Sequence, residues 1–149
     1  MQPYIRVSQL KQSFGSQEVL KGVSFDADKG ELLALIGGSG AGKSVILKHL
    51  DGLMDPLDGY VEIDGRRISN VPEKVKREIR NKIGFMFQQG ALFDSLSVGE
   101  NVAFPLREAG LKNEEELDSR ISAALESVGL SGQEEKMPAN LSGGMIKRV

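Results

Sequence analysis

Apolar and polar positions alternate through the first thirty residues of the chain. In residues 5–10 the alternation places Val7 and Leu10 on opposite faces of an extended strand. Shorter apolar runs follow at residues 19–20 and 23–25. A period of two is typical of strands that bury one face and expose the other, as in an antiparallel sheet. The pattern therefore predicts an antiparallel β region at the N-terminus.

A different pattern begins at Leu32. Residues 32–36 are five apolar residues in succession, and a glycine-rich segment follows them directly. An apolar run of this kind indicates a strand of a parallel sheet that is covered on both faces. From Lys43 onward apolar residues recur at helical spacing, and Gly52 marks the end of the helix. The predicted order is buried strand, glycine loop and helix.

Turn and cap residues predict the elements that follow. Residues 60–63 and 66–68 flank the pair Asp64-Gly65, which is typical of a two-residue hairpin turn. Pro72 is suited to the start of a basic helix, and we expect a short strand after that helix at residues 83–87.

The clearest amphipathic helix spans residues 114–128, where apolar side chains recur every three or four positions. Asn113 is in position to cap its first turn, and Gly129 marks its end. The acidic residues of the first turn complement the helix dipole. We interpret them as a solvated turn instead of a binding site.

Composition excludes several classes of protein. The 149 residues include 19 basic and 21 acidic side chains, a net charge of −2, so we expect no nucleic-acid partner bound by charge. There is no cysteine and a single histidine, His49, which excludes disulfides and thiolate or histidine-cluster metal sites. Any metal must then be held by oxygen. No apolar stretch approaches the ~20 residues that cross a bilayer, and the first residues lack the pattern of a leader, so we expect a cytoplasmic chain.

The segment GGSGAGKS at residues 37–44 carries the chemistry. It matches the pattern G-x-x-x-x-G-K-[ST], with Gly37, Gly42, Lys43 and Ser44 at the fixed positions. The alternative is a glycine-rich turn with an incidental Lys-Ser pair, but the predicted strand and helix flank the loop as a phosphate-binding loop requires. The spacing G-x-G-x-x-G does not occur here, which sets aside a dinucleotide-binding oxidoreductase.

Such a loop binds phosphate through its backbone, because glycines let successive N–H groups point inward and the helix directs its positive end at the same place. Lys43 would add a point charge at the β- and γ-phosphates, and the Ser44 hydroxyl would be a ligand of Mg²⁺. The predicted cofactors are ATP and Mg²⁺. The predicted cofactor-binding residues of the loop are Gly37, Gly38, Ser39, Gly40, Ala41, Gly42, Lys43 and Ser44.

The sequence LSGGM at residues 141–145 resembles the LSGGQ signature of ATP-binding-cassette (ABC) ATPases. Two other residues match that family in order along the chain, Phe14 before the phosphate loop and Gln88 after it. The resemblance implies an α/β fold, namely a P-loop NTPase core of ABC type with an N-terminal antiparallel β subdomain and a helical subdomain. It also implies a partial ABC ATPase domain divided into a β subdomain (about 1–30 and 59–70), a P-loop core (about 31–54 and 71–90) and a helical subdomain (about 95–149).

The resemblance further implies a head-to-tail dimer with a second ATPase subunit. ATP would lie between the phosphate loop of one subunit and Ser142, Gly143 and Gly144 of the other, which would meet the γ-phosphate. A Ser-Gly-Gly run that opens a helix can do this through its N–H groups. The alternative is a simple N-cap turn. Met145 stands where the family usually has Gln, so a contact by that side chain is in doubt.

Phe14 is implied to stack on adenine, and its alternative role is that of a core aromatic. Gln88 is implied to reach Mg²⁺ and the attacking water, so that it is a predicted catalytic and metal-binding residue along with Lys43 and Ser44. Gln89 follows directly, and the sequence leaves open which glutamine does this. We expect His49 to be a surface or packing residue.

A narrower resemblance concerns lipid transporters. The strings GKSVILKHLDGL, FQQGALFDSLSVGENVAFPLRE and MPANLSGGM are similar to ATPase subunits of the maintenance-of-lipid-asymmetry type, whose permeases work with mammalian-cell-entry proteins. It implies phospholipid or another lipid as cargo, an integral membrane permease and lipid-binding accessory proteins as partners, and a peripheral position on the cytoplasmic face of the inner membrane. The alternatives are a non-transport ABC ATPase of DNA repair, chromosome maintenance or translation, and a degenerate cassette that only binds ATP.

In the ABC family an apolar strand ending in Asp-Glu, a loop Asp and a His follow the signature. None of these follows within the 149 residues, so the resemblance implies a chain truncated before the Walker B strand. We therefore expect the 149-residue chain to be catalytically deficient by itself. We also expect the strand at residues 32–36 to have an unpaired edge, which would make the isolated chain marginally stable.

Overall fold

The computed structural model describes residues 2–87 and 90–149. They divide into two compact units, Met1–Phe85 and Met86–Val149, and each is described by itself. The strands of the first unit are β1 (Ile5–Phe14), β2 (Gln17–Ala27), β3 (Asp58–Ile63) and β4 (Arg66–Arg67), and its helices are α1 (Lys43–Leu50) and α2 (Glu73–Arg80). The second unit contains α3 (Val98–Glu108), α4 (Glu114–Ser127), a 3₁₀ turn (Pro138–Asn140) and α5 (Gly143–Ile146).

The strands of the first unit form one antiparallel sheet in the order β2-β1-β3-β4. Ile5, at the start of β1, pairs with Ala27 on one side and with Ile63 on the other. Asp64 and Gly65 join β3 to β4 with φ angles of 52° and 68°, the left-handed pair that a tight hairpin turn requires. The predicted N-terminal antiparallel region and the hairpin are both confirmed.

An irregularity in β1 corrects one detail of that prediction. Gln9 has a φ of 47°, and the pairing register of β1 shifts between Val7 and Leu10. The extra residue of this bulge turns Leu10 to the same side as Val7, and both are buried, with 0% and 2% of their surface exposed. The expectation that Val7 and Leu10 lie on opposite faces is therefore wrong, because strict alternation does not survive a bulge.

The core of the first unit forms between the sheet and the two helices. Its buried apolar residues are Val7, Leu10, Leu20, Ile46, Val61, Ile63, Ile68 and Ile79. Helix α1 begins at Lys43 as predicted, and Gly52, with a φ of 64°, lies just beyond its end. The helix after Pro72 is also confirmed, with Pro72 itself at the N-cap position of α2.

Two predicted strands are not found. Residues 32–36 form no strand, and Leu32 and Ile36 are 96% and 94% exposed. Residues 83–87 form no strand either. A strand with two apolar faces is stabilised by hydrogen-bonded neighbours and by covering layers on both sides, and the sheet of the described residues is wholly antiparallel. The apolar run therefore predicted a strand whose parallel neighbours do not occur among these residues.

The second unit is helical. Ser97 begins α3 with a capping box, in which its hydroxyl accepts from the Glu100 N–H and the Glu100 carboxylate accepts from the Ser97 N–H. Asn113 caps α4 by accepting from the Glu116 N–H, and Gly129 follows the helix with a φ of 68°. The predicted helix at 114–128 is thus confirmed. Its apolar stripe packs in a core of Val98, Ala103, Leu117, Ile121, Leu125 and Leu130.

Candidate functional site

The glycine loop of residues 37–44 leads into α1. Gly42 occupies the N-cap position in a left-handed conformation, with a φ of 87°, and no side chain caps the helix. A cavity of about 240 Å³ opens there, lined by Val19 and by residues 40–45. The first N–H groups of α1 lack a side-chain acceptor and the positive end of the helix is at the same point, so the cavity is suited to an anion.

Gly42 is required by its surroundings as well as by its backbone. A Cβ atom at this position would lie 2.8 Å from Leu20 Cδ2 and 3.1 Å from Val19 Cγ1. Its φ of 87° is also one that side-chain-bearing residues rarely adopt. By contrast, Gly38 has no left-handed φ, and a Cβ there would meet no atom within 4 Å. The fold therefore requires glycine at position 42 and leaves the space beside Gly38 open.

The Lys43 side chain lies over the loop. Its ammonium donates to the carbonyl oxygens of Gly37, at 2.8 Å, and Gly38, at 2.7 Å. An ammonium has three N–H donors, so one donor remains for an oxygen atom of a phosphate. The loop thereby holds a positive charge beside the cavity.

Ser44 is exposed and lines the same cavity. Nowhere in residues 2–87 and 90–149 do three or more His, Cys, Asp or Glu side chains form a group that could hold a metal ion. Among the residues that line the cavity, Ser44 has the side-chain oxygen that could be a ligand of a metal ion. A hydroxyl oxygen is compatible with Mg²⁺, which binds oxygen ligands and keeps several waters.

The structure adds Val19, a cavity residue that no sequence pattern indicated. Val19 lies on β2, and its side chain and carbonyl oxygen both approach Gly42. Only the pairing of β2 with the rest of the sheet carries it there, so no motif in its own stretch of sequence could have identified it. Val19 gives the cavity an apolar wall beside the phosphate loop.

Phe14 ends β1 and is 48% exposed. Its alternative role as a core aromatic is therefore wrong, and the ring is accessible for stacking on a planar group. The predicted residue Gln88, and Gln89 beside it, lie outside the described residues.

The signature segment lies in the second unit. Ser142 caps α5, and its hydroxyl accepts from the Met145 N–H at 3.3 Å. Gly143 and Gly144 have no left-handed φ, and a Cβ at either position would meet no atom within 4 Å. Neither the packing nor the backbone of this unit requires glycine at these positions. The Met145 side chain is partly buried and packs against the core of the second unit.

Sequence comparison decides the family. The profile of the ABC transporter family matches residues 20–149, most of the chain. The chain belongs to the ABC transporter family. Among curated relatives, the Mycobacterium leprae protein named "Probable ribonucleotide transport ATP-binding protein mkl" is 46% identical over 145 residues, which are 97% of this chain and 42% of that protein.

A second relative is an Arabidopsis thaliana protein named for trigalactosyldiacylglycerol and for the chloroplast. It is 46% identical over 138 residues, 92% of this chain and 39% of that protein. The ABC chain thus spans about two fifths of the length of these relatives.

The fold of this ABC chain is also that of solved cassettes. A dimeric structure of the bacterial ABC transporter cassette MJ0796 superposes with a TM-score of 0.88 at 32% identity, covering 97% of this chain and 66% of that one. MJ0796 in a post-hydrolysis state, bound to ADP and Pi, gives a TM-score of 0.86 at 31% identity, with the same coverage of 97% and 66%. The likeness confirms the predicted α/β class of ABC type.

No helix within the described part of the ABC chain is long and apolar enough to cross a membrane.

His49 of the ABC chain lies on α1, the helix that carries Lys43 and Ser44. It is fully buried, its Nδ1 is 2.7 Å from the Val45 carbonyl oxygen, and its Nε2 has no hydrogen-bond partner within residues 2–87 and 90–149. His49 is therefore a packing residue and not a surface residue. Burial lowers the pKa of His49, opposed by the bond to Val45 and by the charge of Asp55.

We therefore expect the stability of the first unit to fall as the pH is lowered through about 6.5, the ordinary pKa of histidine. Below that pH the unfolded chain takes up a proton that the folded chain resists, so the stabilisation is complete above it and is lost in acid. Thermal unfolding at pH 7.5 and 5.5 tests this against His49→Leu. Burial raises the pKa of Asp51, an effect of opposite sign, but it is common to both proteins. Equal pH dependence in the two proteins would contradict the role of His49.

Proposed function

We propose that this chain is the nucleotide-binding part of an ABC transporter ATPase subunit and binds Mg²⁺-ATP at residues 37–44. The observation that carries the proposal is the start of α1, where an uncapped helix N-terminus and the Lys43 ammonium border one cavity. Backbone N–H groups and one ammonium group are the donors that a polyphosphate needs. The ADP and Pi bound to MJ0796, a cassette of the same fold, support it.

The residues have separate roles in this proposal. The loop residues from Gly37 to Gly42 bind the phosphates through backbone N–H groups, Lys43 donates to the β- and γ-phosphates, and Ser44 is the protein ligand of Mg²⁺. When bound, Mg²⁺ would reduce the negative charge that the loop must neutralise. Phe14 stacks on adenine, and Gln88 orients the attacking water. Hydrolysis itself is proposed for the full-length protein.

The signature segment is proposed to bind the γ-phosphate held by a second ATPase subunit, in a head-to-tail dimer. Two observations support this role for Ser142, Gly143 and Gly144. All three residues are exposed, and the fold itself does not require the glycines. Glycines that a fold does not need leave room for the close approach of a ligand to the backbone.

The proposed binding site is tested by Gly42→Ala, with Gly30→Ala as its matched control. Both glycines have a left-handed backbone, with φ angles of 87° and 83°, but a methyl group at Gly42 contacts Leu20, whereas one at Gly30 meets no atom within 4 Å and lies outside the phosphate loop. We expect Gly42→Ala to weaken Mg²⁺-ATP binding at least tenfold, about 1.4 kcal/mol, and Gly30→Ala to bind within a factor of about three of wild type. Isothermal titration calorimetry measures both. Equal loss in the two variants, or no loss in Gly42→Ala, contradicts a phosphate site built on this geometry.

We further propose that the full-length protein docks on the cytoplasmic side of an integral membrane permease and drives transport of phospholipid or another lipid. The division into a β subdomain, a P-loop core and a helical subdomain belongs to this proposal. Likeness to the Arabidopsis protein named for a galactolipid supports a lipid cargo. The name of the Mycobacterium leprae relative supports transport with a different cargo, ribonucleotide.

Copurification separates these alternatives. We expect the full-length protein, isolated from its source membrane with a mild detergent, to retain a permease and enriched phospholipid, and its ATPase rate to rise when phospholipid is added. Stimulation by ribonucleotide and not by lipid would reverse the choice of cargo. Retention of soluble DNA-repair or translation proteins would favour a non-transport ABC ATPase, and ATP binding without hydrolysis would favour a degenerate cassette.

A further inference from the structure

One arginine connects the signature segment to the end of α4. The Arg148 side chain donates through Nη1 to the carbonyl oxygen of Val128, at 2.8 Å, and through Nε to the carbonyl oxygen of Gly144, at 3.3 Å. Val128 is the C-cap residue of α4, and Gly144 is the second glycine of the signature. A single planar group thus joins two backbone segments of the second unit.

The Val128 end of this bridge is electrostatically favourable. The last carbonyl groups of a helix lack intrahelical partners and carry the negative end of the helix dipole, so a guanidinium there is stabilised. Gly129 follows in a left-handed conformation, with a φ of 68°, and a Cβ there would lie 3.6 Å from Arg148 Nη1. That distance is an ordinary contact, so it is the left-handed backbone that favours glycine at the end of α4.

The Gly144 end of the bridge acts on a segment with few contacts of its own. A Cβ at Gly143 or Gly144 would meet no atom within 4 Å. Within this segment the Ser142 hydroxyl accepts from the Met145 N–H, and the Gly143 carbonyl oxygen accepts from the backbone N–H of Lys147. Among the described residues, Arg148 supplies the side-chain hydrogen bond to a backbone atom of the glycine pair. Without the guanidinium, Gly143 and Gly144 would sample more conformations, because glycine has the largest backbone freedom.

We propose that Arg148 is a positioning residue, which holds the signature glycines in the conformation that receives the γ-phosphate of a second subunit. This inference rests on the proposed function, in which Ser142, Gly143 and Gly144 complete the site of the other subunit. Arg148 itself acts through Gly144. Its effect is on the fraction of molecules whose signature segment is ready to bind, and the apparent affinity falls in proportion to that fraction.

The test is dimerisation of the full-length protein with Mg²⁺ and the ATP analogue adenylyl imidodiphosphate, measured by analytical ultracentrifugation. We expect Arg148→Ala to weaken dimerisation about tenfold, as it would if about one molecule in three keeps the bound arrangement, because each of the two subunits contributes a signature segment to the dimer. Nucleotide affinity of the monomer, measured by calorimetry at low protein concentration, should be unchanged, since the phosphate loop is in the first unit. The lysine of Arg148→Lys can reach only one of the two carbonyl groups, so its dimerisation should be weaker than that of wild type and stronger than that of Arg148→Ala.

Lys147→Ala is the matched control, because it removes an exposed neighbouring charge that makes neither hydrogen bond. Wild-type dimerisation by Arg148→Ala, or equal loss in Arg148→Ala and Lys147→Ala, overturns the inference. If Arg148→Ala does not fold, Arg148→Lys compared with Lys147→Ala decides in the same way.

Gly144→Val separates this inference from the function on which it depends. If Gly144→Val abolishes dimerisation and Arg148→Ala leaves it intact, the signature role stands and the role of Arg148 is overturned. If Gly144→Val dimerises like wild type, or wild type does not dimerise with the analogue, the proposed signature role fails and the role of Arg148 fails with it.

Discussion

Lys43→Ala is expected to weaken binding of Mg²⁺-ATP about 100-fold, a loss of ~2.7 kcal/mol. The Lys43 ammonium is fixed over the loop by the carbonyl oxygens of Gly37 and Gly38, and it keeps one N–H donor for phosphate. Hydrogen bonds between ionised partners contribute more than neutral ones, and a polyphosphate left without its cation keeps an unneutralised charge next to the loop. Calorimetric titration with Mg²⁺-ATP gives the two dissociation constants.

Lys48→Ala controls for the loss of one positive charge from α1. Lys48 lies on the same helix and is exposed, but it is not among the residues that line the loop cavity. We expect its affinity to stay within a factor of about two of wild type, since exposed charges at a distance are screened by salt. The proposed role of Lys43 is wrong if both variants bind equally well, or if adding salt reduces the wild-type affinity to that of Lys43→Ala.

The parts of the site that the sequence predicted are those set by local geometry. The run Gly42-Lys43-Ser44 is informative because the left-handed residue that ends the loop must be followed directly by the first residue of the helix, and that residue carries the cation. Capping works in the same local way, so Asn113 predicted the start of α4 from the residues beside it. Hairpin turns also depend on adjacent residues, and Asp64-Gly65 correctly predicted the turn between β3 and β4.

The remainder depends on contacts between distant residues. Residues 32–36 are apolar enough for a buried strand, but a strand exists only where a neighbour pairs with it. Val19 reaches the phosphate loop through the pairing of β2, and Arg148 reaches Val128 across 20 positions. The bulge at Gln9 could not be predicted from the sequence either, because it arises from the register of β1 against β2 and β3. The positions of Val19, Arg148 and the bulge depend on partners elsewhere in the chain, so the residues beside each of them do not predict it.

That bulge leads to the largest expected effect on stability, which is Gly59→Ala. Gly59 lies in β3 opposite the bulge, with a φ of 82°, and a Cβ there would be 2.3 Å from the carbonyl oxygens of both Ser8 and Gln9. These are backbone atoms of β1, the central neighbour of β3 in the sheet, so neither can rotate away as a side chain would. The two strands must separate locally or the bulge must rearrange.

We expect Gly59→Ala to lower the free energy of unfolding by about 3–5 kcal/mol, the range of the most disruptive single substitutions. Gly15→Ala is the matched control, because Gly15 has a φ of 59° but a Cβ there meets nothing within 4 Å. It should lose only the ~1 kcal/mol that a left-handed backbone costs a residue with a side chain. Urea unfolding of both variants measures the difference. If the two variants lose the same free energy of unfolding, backbone conformation alone explains why position 59 requires glycine. The close approach of β1 to β3 then contributes nothing to that requirement.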